Sequence, residues 1–249
     1  MKQQRLPSPG PGASIVFPEL SPIGTRLTAR GNVASKPSKT GRITTSADAA
    51  KIRSLKTTAM SLASVHEFGD LYVNFMRERK RVFVDQLGWN LPTADDMEFD
   101  QYDNPFCRLV AVHEYGEILA GIRLSPTTAR VGLHSYMLRD AQLGLLENIP
   151  NDVLFFDAPV DATVWEATRV FISDTVSADR RPLIQRALIN QMVDTARKQG
   201  ANSIIGIVPS IYPRWLRRLN LDAVPVGPKF DIDGSRLQAI LFNINHSIQ

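Results

Sequence analysis

Arg79, Phe83, Trp89, Asp100, Asp103, Arg123, Glu166 and Arg169 lie in four short phrases, RERKRVFVDQLGW, EFDQYDNP, GIRLSPTT and WEATR. Three carboxylates, three guanidiniums and two aromatic rings are the groups needed to hold a small charged molecule beside a reacting carbonyl. A guanidinium forks onto a carboxylate, and an aromatic face attracts a cation such as a sulfonium or stacks on a purine. Arg79 and Phe83, four apart in a helical phrase, project from one face, with Trp89 just beyond the helix end. Arg123 and Glu166 sit in otherwise apolar strand sequence, where a charge is costly unless it is paired. A buried network of alternating sign perturbs the pKa values of its members, the setting of many active sites. The same residues would also serve as a structural ion-pair cluster, with Phe83 and Trp89 as core. Glu166 and Arg169, three apart, point to opposite faces of a regular strand, so acting together requires a bulge or a strand end.

The elements that must carry these residues follow from periodicity. Apolar residues three and four apart, among them Leu71, Phe75 and Val82, predict an amphipathic helix from about Glu67 to Gln86, stopped by Gly88. The acid-rich stretch from Asn90 to Pro105 reads as a loop. Arg108–His113 and Ile118–Leu124 are apolar runs joined by Glu-Tyr-Gly-Glu, a hairpin, and Val164–Ile172 is a further strand. Pro182 opens a helix whose apolar positions run to Gly200, followed by a strand at Ser203–Val208, a short basic helix at Tyr212–Leu219 and a closing strand at Leu237–Ile244. A hairpin followed by strand-helix-strand implies an α/β or α+β sandwich.

Composition narrows the function classes. With 43% hydrophobic and 22% charged residues among 249, the chain reads as a globular domain with a substantial core. Its sequence has neither an apolar run long enough for a membrane span nor the apolar core of a secretory signal, so a cytoplasmic protein is expected. Cys107 is the sole cysteine, which excludes an intrachain disulfide, and His66, His113, His134 and His246 lack metal-ligand spacing, so no metal site is expected. Residues 1–56 hold ten Lys and Arg against Glu19 and Asp48, so the remainder carries −4 of the overall +4. The basicity therefore belongs to the tail, which weighs against a nucleic-acid domain. Rich in Pro, Ser, Thr and Gly, residues 1–59 are expected to form a disordered basic extension ahead of a domain at 60–249.

The eight residues in order, with RVFVDQLGW, EFDQYDNP, RLSPTT, YMLRD and WEATRVFIS around them, resemble the acyl-homoserine-lactone synthases, the autoinducer synthases of bacterial quorum sensing. The likeness spans about Gly69 to Ile244. Thr168 stands where the family usually has serine, the stretch from Arg130 to Val164 is longer than expected around LENIPNDVLFFDAP, and the N-terminal extension is unusual.

The resemblance implies an N-acyltransferase-like (GNAT-like) three-layer α-β-α sandwich with a mixed sheet. It implies synthesis of an N-acyl-homoserine lactone from S-adenosylmethionine, a substrate rather than a cofactor, and an acyl thioester on acyl carrier protein or coenzyme A, releasing methylthioadenosine. On this reading Glu166 is the catalytic base, directly or through water, with Arg169 and Thr168 holding it. Arg79, Phe83, Trp89, Asp100, Asp103 and Arg123 form the S-adenosylmethionine pocket, and backbone N–H groups near Phe171 or Ile204 stabilise the oxyanion. Arg214, Arg217, Arg218 and Lys229 would dock the acidic carrier protein, although a solvated helix face has the same composition. The chain has no glycine-rich loop of the acetyltransferase type beside Arg180 and Arg181, which favours acyl carrier protein over coenzyme A. The alternative is a GNAT-like N-acyltransferase that acylates another amine, such as an amino acid, without lactonisation.

Overall fold

The alternation of β4 (Arg108–Glu114) sets the layers, because Val110 and Val112 face one core while Leu109 and Ala111 face another. The computed structural model describes residues 54–210, 222–232 and 234–245. Around β4 it builds a mixed sheet of β1 (Leu55–Met60), β4, β5 (Glu117–Pro126), β6 (Val164–Ile172), β7 (Ser203–Pro209), β9 (Ser235–Asn243) and β8 (Asp222–Ile232), in that spatial order. A small hairpin, β2 (Thr93–Ala94) and β3 (Met97–Glu98), stands apart from it.

Helix α1 (Asp70–Arg79) lies on the Leu109 face and continues into a π-helical turn over Lys80–Gln86, so the expected helix is present but widened at its end. On the same face, α2 (Met137–Gln142) and the chain from Val153 to Ala158 cover Ile205 and Ala239. Helix α3 (Arg181–Lys198) covers the opposite face with Ile184, Leu188, Met192 and Val193. The three-layer sandwich expected of this sequence is therefore the fold observed. The hairpin, the β6 strand, the α3 helix and the closing strand all stand where periodicity puts them.

One boundary is corrected, and one strand is present that periodicity does not announce. The sheet begins at Leu55, inside the expected extension, because LKTTAM pairs antiparallel with the outer edge of β4 although only Met60 is buried. Such a strand has no apolar alternation to betray it. Strand β8 carries Pro225, Gly227 and Pro228, which argue against a strand, yet it is an edge strand with a register shift between Pro225 and Lys229, where such residues are tolerated. The expected basic helix at Tyr212–Leu219, with Arg214, Arg217 and Arg218, lies outside the described residues.

All neighbouring strands are antiparallel except β6 and β7, which pair in parallel only at Val164↔Ser203, Trp165↔Ile204 and Glu166↔Ile205. Beyond these rungs the pairing ends, just where Gly206 passes the Ala167 carbonyl so closely that a Cβ would come within 2.7 Å of its oxygen. A second close approach fixes α1 on the sheet: a Cβ at Gly121 would lie 2.4 Å from the Phe75 ring and 2.5 Å from Phe171. Gly121→Ala is therefore expected to lower stability by about 1–3 kcal/mol through overpacking, measured by thermal denaturation.

Candidate active site

The charged residues singled out by type and spacing close into a ring. Arg79 pairs with Glu98 at 2.5 Å, Glu98 with Arg169 at 3.3 Å, Arg169 with Asp100 at 2.8 Å, Asp100 with Arg123 at 2.5 Å, Arg123 with Asp103 at 3.0 Å, and Asp103 with Arg79 at 2.6 Å. Three cations alternate with three anions, the net charge is zero, and every member is almost wholly removed from solvent. Burial alone would raise the Asp100 and Asp103 carboxyls, but Arg123 acts on both and, with Arg169 at Asp100 and Arg79 at Asp103, holds them below the usual range. Burial acts the other way on the guanidiniums, and it depresses Arg169, whereas the carboxylates around Arg79 and Arg123 outweigh it and raise theirs.

Glu98 is the ring member that sequence reading passed over, although it opens the EFDQYDNP phrase. A charge balance gives no sign of it, because Glu166 already makes a third carboxylate beside Asp100 and Asp103 for the three arginines, and only the geometry shows that Glu166 stands outside the ring. The loop that carries these acids is self-organised: Asp103 accepts the Asp100 N–H at 2.8 Å and Asp100 accepts the Tyr102 N–H at 2.9 Å.

Arg169 joins the ring through the expected bulge. Gly121 pairs with Phe171 and Arg123 with Thr168, so Arg169 and Val170 together oppose Ile122, and Arg169 takes φ 54°. A left-handed arginine costs about 1–3 kcal/mol and persists only where its surroundings hold it. Here Glu98 and Asp100 grip the guanidinium, which also lies 5.6 Å from the Phe83 ring centroid and 5.8 Å from that of Trp89. The π-helical turn brings those two rings together, stacked at 5.0 Å, with the Trp89 N–H bonded to the Phe83 carbonyl at 2.9 Å.

Glu166 is held differently from expectation. Its carboxylate oxygens accept the backbone N–H groups of Met137 at 2.9 Å and Leu138 at 2.7 Å, at the start of α2. Arg169 is engaged by Glu98 and Asp100, and Thr168 accepts the Arg123 Nε–H at 3.0 Å, so neither holds Glu166. Burial drives the Glu166 carboxyl up to about 7 against the pull of those two N–H groups. A fully buried Asp140 anchors the neighbouring turn, accepting from Tyr102 Oη at 2.9 Å and from the Ser135 N–H and hydroxyl, and contacting His134 Nδ1 at 2.9 Å. Asp140 lies in the YMLRD phrase within α2, and its partners Tyr102, His134 and Ser135 meet it only in the folded chain.

Where β6 and β7 part, a cavity of about 910 Å³ opens. Its lining combines polar and aromatic groups, Trp89, Asp100, Tyr102, Thr168 and Arg169, with an apolar set that includes Leu145, Leu146, Ile149, Ile207 and Leu237, among which Glu147, Asn148 and Asp231 are interspersed. Of the residues expected to form a substrate pocket, Trp89 and Asp100 line it. Arg79, Phe83, Asp103 and Arg123 do not; they are buried behind it and frame the residues that do. Glu166, 1% exposed, also stands behind the wall formed by Met137, Ala167 and Thr168. Neither Phe171, paired with Gly121, nor Ile204, paired with Trp165, is among the residues that line the cavity.

A family model described as autoinducer synthase matches residues 65–242, a span that contains the ring, the aromatic stack and the parting strands. The chain belongs to the autoinducer synthase family. An acyl-homoserine-lactone synthase of Ralstonia nicotianae is 34% identical over 175 residues, covering 68% of this chain and 80% of its own length. That of Acinetobacter nosocomialis is 30% identical over 181 residues, covering 70% of this chain and 92% of its own. Among solved structures, TofI in a ternary complex with an inhibitor and MTA superposes with a TM-score of 0.61 at 28% identity, over 78% of this chain and 94% of TofI. The CoA-dependent acyl-homoserine lactone synthase BjaI shares the fold, with a TM-score of 0.62 at 21% identity over 77% of this chain and 84% of its own. Leu145 to Ile149, in the chain between α2 and β6, form one side of the cavity.

Proposed function

We propose that this chain makes an N-acyl-homoserine lactone from S-adenosylmethionine and an acyl thioester, preferably on acyl carrier protein, and releases methylthioadenosine. The observation that carries the reading is a cavity in an autoinducer synthase whose lining includes both a charged, aromatic group of residues and an apolar set. The two ring members that reach it have opposite signs, Asp100 and Arg169, which suits a zwitterionic methionyl group, ammonium toward the first and carboxylate toward the second. Trp89 beside them offers a face to the adenine or the sulfonium. The apolar lining residues suit an acyl chain. TofI, solved with MTA, supports a methylthioadenosine product. S-Adenosylmethionine and acyl thioesters are intracellular metabolites, so this reading puts the enzyme in the cytoplasm.

The chemistry follows from these groups. The substrate ammonium has no lone pair and must lose a proton before it attacks the thioester. Glu166, raised toward neutrality by burial, suits the role of acceptor, and since it stands behind the cavity wall the proton travels through a water. Backbone N–H groups of β6 beyond Glu166, where pairing with β7 has ended, are the oxyanion donors in this reading. Lactone closure needs only that the substrate carboxylate reach its own γ-carbon and expel a neutral thioether, a matter of holding the substrate folded. Lys229, exposed on the edge strand β8, would be one member of the carrier-protein docking patch with Arg214, Arg217 and Arg218.

Purified protein given S-adenosylmethionine and acyl carrier protein thioesters of several chain lengths should yield lactone and methylthioadenosine in equal amounts by mass spectrometry. Acyl transfer without methylthioadenosine would instead identify an N-acyltransferase for another amine. Trp89→Ala is expected to raise the KM for S-adenosylmethionine about 10- to 100-fold, the range of one stacking or cation–π contact, and leave the KM for the acyl donor unchanged in initial-rate assays.

A further inference from the structure

We infer that Ser125 is a positioning residue for the proton transfer: its hydroxyl, together with that of Thr168, holds the water through which the substrate amine delivers its proton to Glu166. The inference rests on the reading of Glu166 as proton acceptor.

Ser125 on β5 lies directly opposite Glu166 on β6, so the two side chains stand on the same face with Cβ atoms about 4.5–5.5 Å apart. Ser125 is 3% exposed, and its Oγ has no protein partner among the described residues. A buried hydroxyl without a partner is destabilising, and a strand position with no polar task would carry an apolar side chain, as Ile122 and Leu124 do on the other face.

Two positions along, the next rung on the same face pairs Arg123 with Thr168, which lines the cavity. Thr168 Oγ1 accepts from Arg123, so its own O–H remains free to donate. Each Glu166 oxygen takes one backbone N–H and keeps a second lone pair. Ser125, Thr168 and Glu166 thus supply three polar groups from successive same-face rungs beside the cavity, and a buried water takes two to four such partners. Arg123 from β5 and Asp140 from α2 are the charges that act on Glu166, but its hydrogen bonds go to Met137 and Leu138, so neither charge occupies its remaining lone pairs.

The step balances. The ammonium gives one proton to the water, which passes one of its own to the Glu166 carboxylate. The freed amine attacks the thioester carbon, the C–S bond breaks, and the departing thiolate takes the second proton from nitrogen. Glu166 then releases its proton to solvent.

Ser125→Ala, Ser125→Cys and Ser125→Thr in the full chain test this, with S-adenosylmethionine and an acyl carrier protein thioester as substrates and thiol release as the rate. Alanine and cysteine should lower kcat about 10- to 100-fold, the worth of one hydrogen bond in a charged path, with both KM values unchanged. Threonine, which restores the hydroxyl, should keep most of the rate. The defect should shrink above about pH 8, where an α-amine is already largely deprotonated, whereas a structural defect would persist at every pH. Should the alanine variant melt early, the cysteine variant, which preserves side-chain volume, decides. Wild-type kcat in a folded alanine or cysteine variant overturns the inference. If Glu166→Gln is inactive in that same assay, the role of Glu166 stands and only that of Ser125 falls; wild-type turnover by Glu166→Gln removes both.

Discussion

Arg79→Ala lowers the thermal midpoint by about 10 °C, the expected result of a loss of about 3–5 kcal/mol in a domain of this size. Arg79 is wholly buried and joins Glu98 to Asp103, so its removal leaves two carboxylates facing a gap in low-dielectric surroundings. The remaining ring then holds two cations and three anions, and the uncompensated charge accounts for most of the loss. Lys80, next in sequence, pairs with Asp85 and Asp96 near the surface, and Lys80→Ala is the control expected to change stability by less than about 1 kcal/mol. Differential scanning calorimetry of the three proteins measures the contrast. An Arg79→Ala protein that melts with the wild type and loses only S-adenosylmethionine affinity would mean that Arg79 is part of the pocket and not of its frame.

Glu166→Gln is expected to cut the rate of thiol release about 10²- to 10⁴-fold, the usual worth of a general base. An amide also presents an N–H₂ group to one of the Met137 and Leu138 N–H donors, so the variant should lose some stability as well, and the rate alone does not isolate the base. The pH profile of the unaltered enzyme does. With the carboxyl raised to about 7, the rate should rise tenfold per pH unit below that value and level off above it. Stability has the opposite slope for this group. The folded carboxyl keeps its proton up to about 7 while the unfolded one releases it near 4.5, so folding takes up a proton between these values and stability falls as the pH rises through them. A rate that stays flat from pH 5 to 8, with chemistry limiting, would remove Glu166 as the base.

Residues that carry a local rule were legible in the chain. The period of α3, its opening proline and its stop before Gly200 placed that helix within a residue or two, and the apolar runs around Glu-Tyr-Gly-Glu placed the β4–β5 hairpin. Strands whose pairing is set by a neighbour were not legible. β1 is polar and marginally buried, and β8 is broken by prolines, yet each completes an open sheet edge. The site divides the same way. Charge type and phrase order picked out Arg79, Asp100, Asp103, Arg123, Glu166 and Arg169, whereas Glu98, Asp140 and Ser125 emerged only from what stands opposite them in space.

By itself, then, the sequence determined the family and the set of charged residues, because both follow from residue types in ordered local phrases, and the resemblance to that family implied the three-layer sandwich. Only the tertiary structure decided their division of labour. The bulge at Arg169 turns that side chain into a six-membered ring of charge with Glu98, and the parting of β6 from β7 opens the cavity. That geometry leaves Trp89, Asp100 and Arg169 facing the cavity while Arg79, Phe83, Asp103 and Arg123 stand behind them. The physical reason is that a charge can be read in a chain, but its partner is set by strand register and helix packing between residues up to about seventy positions apart, such as Glu98 and Arg169.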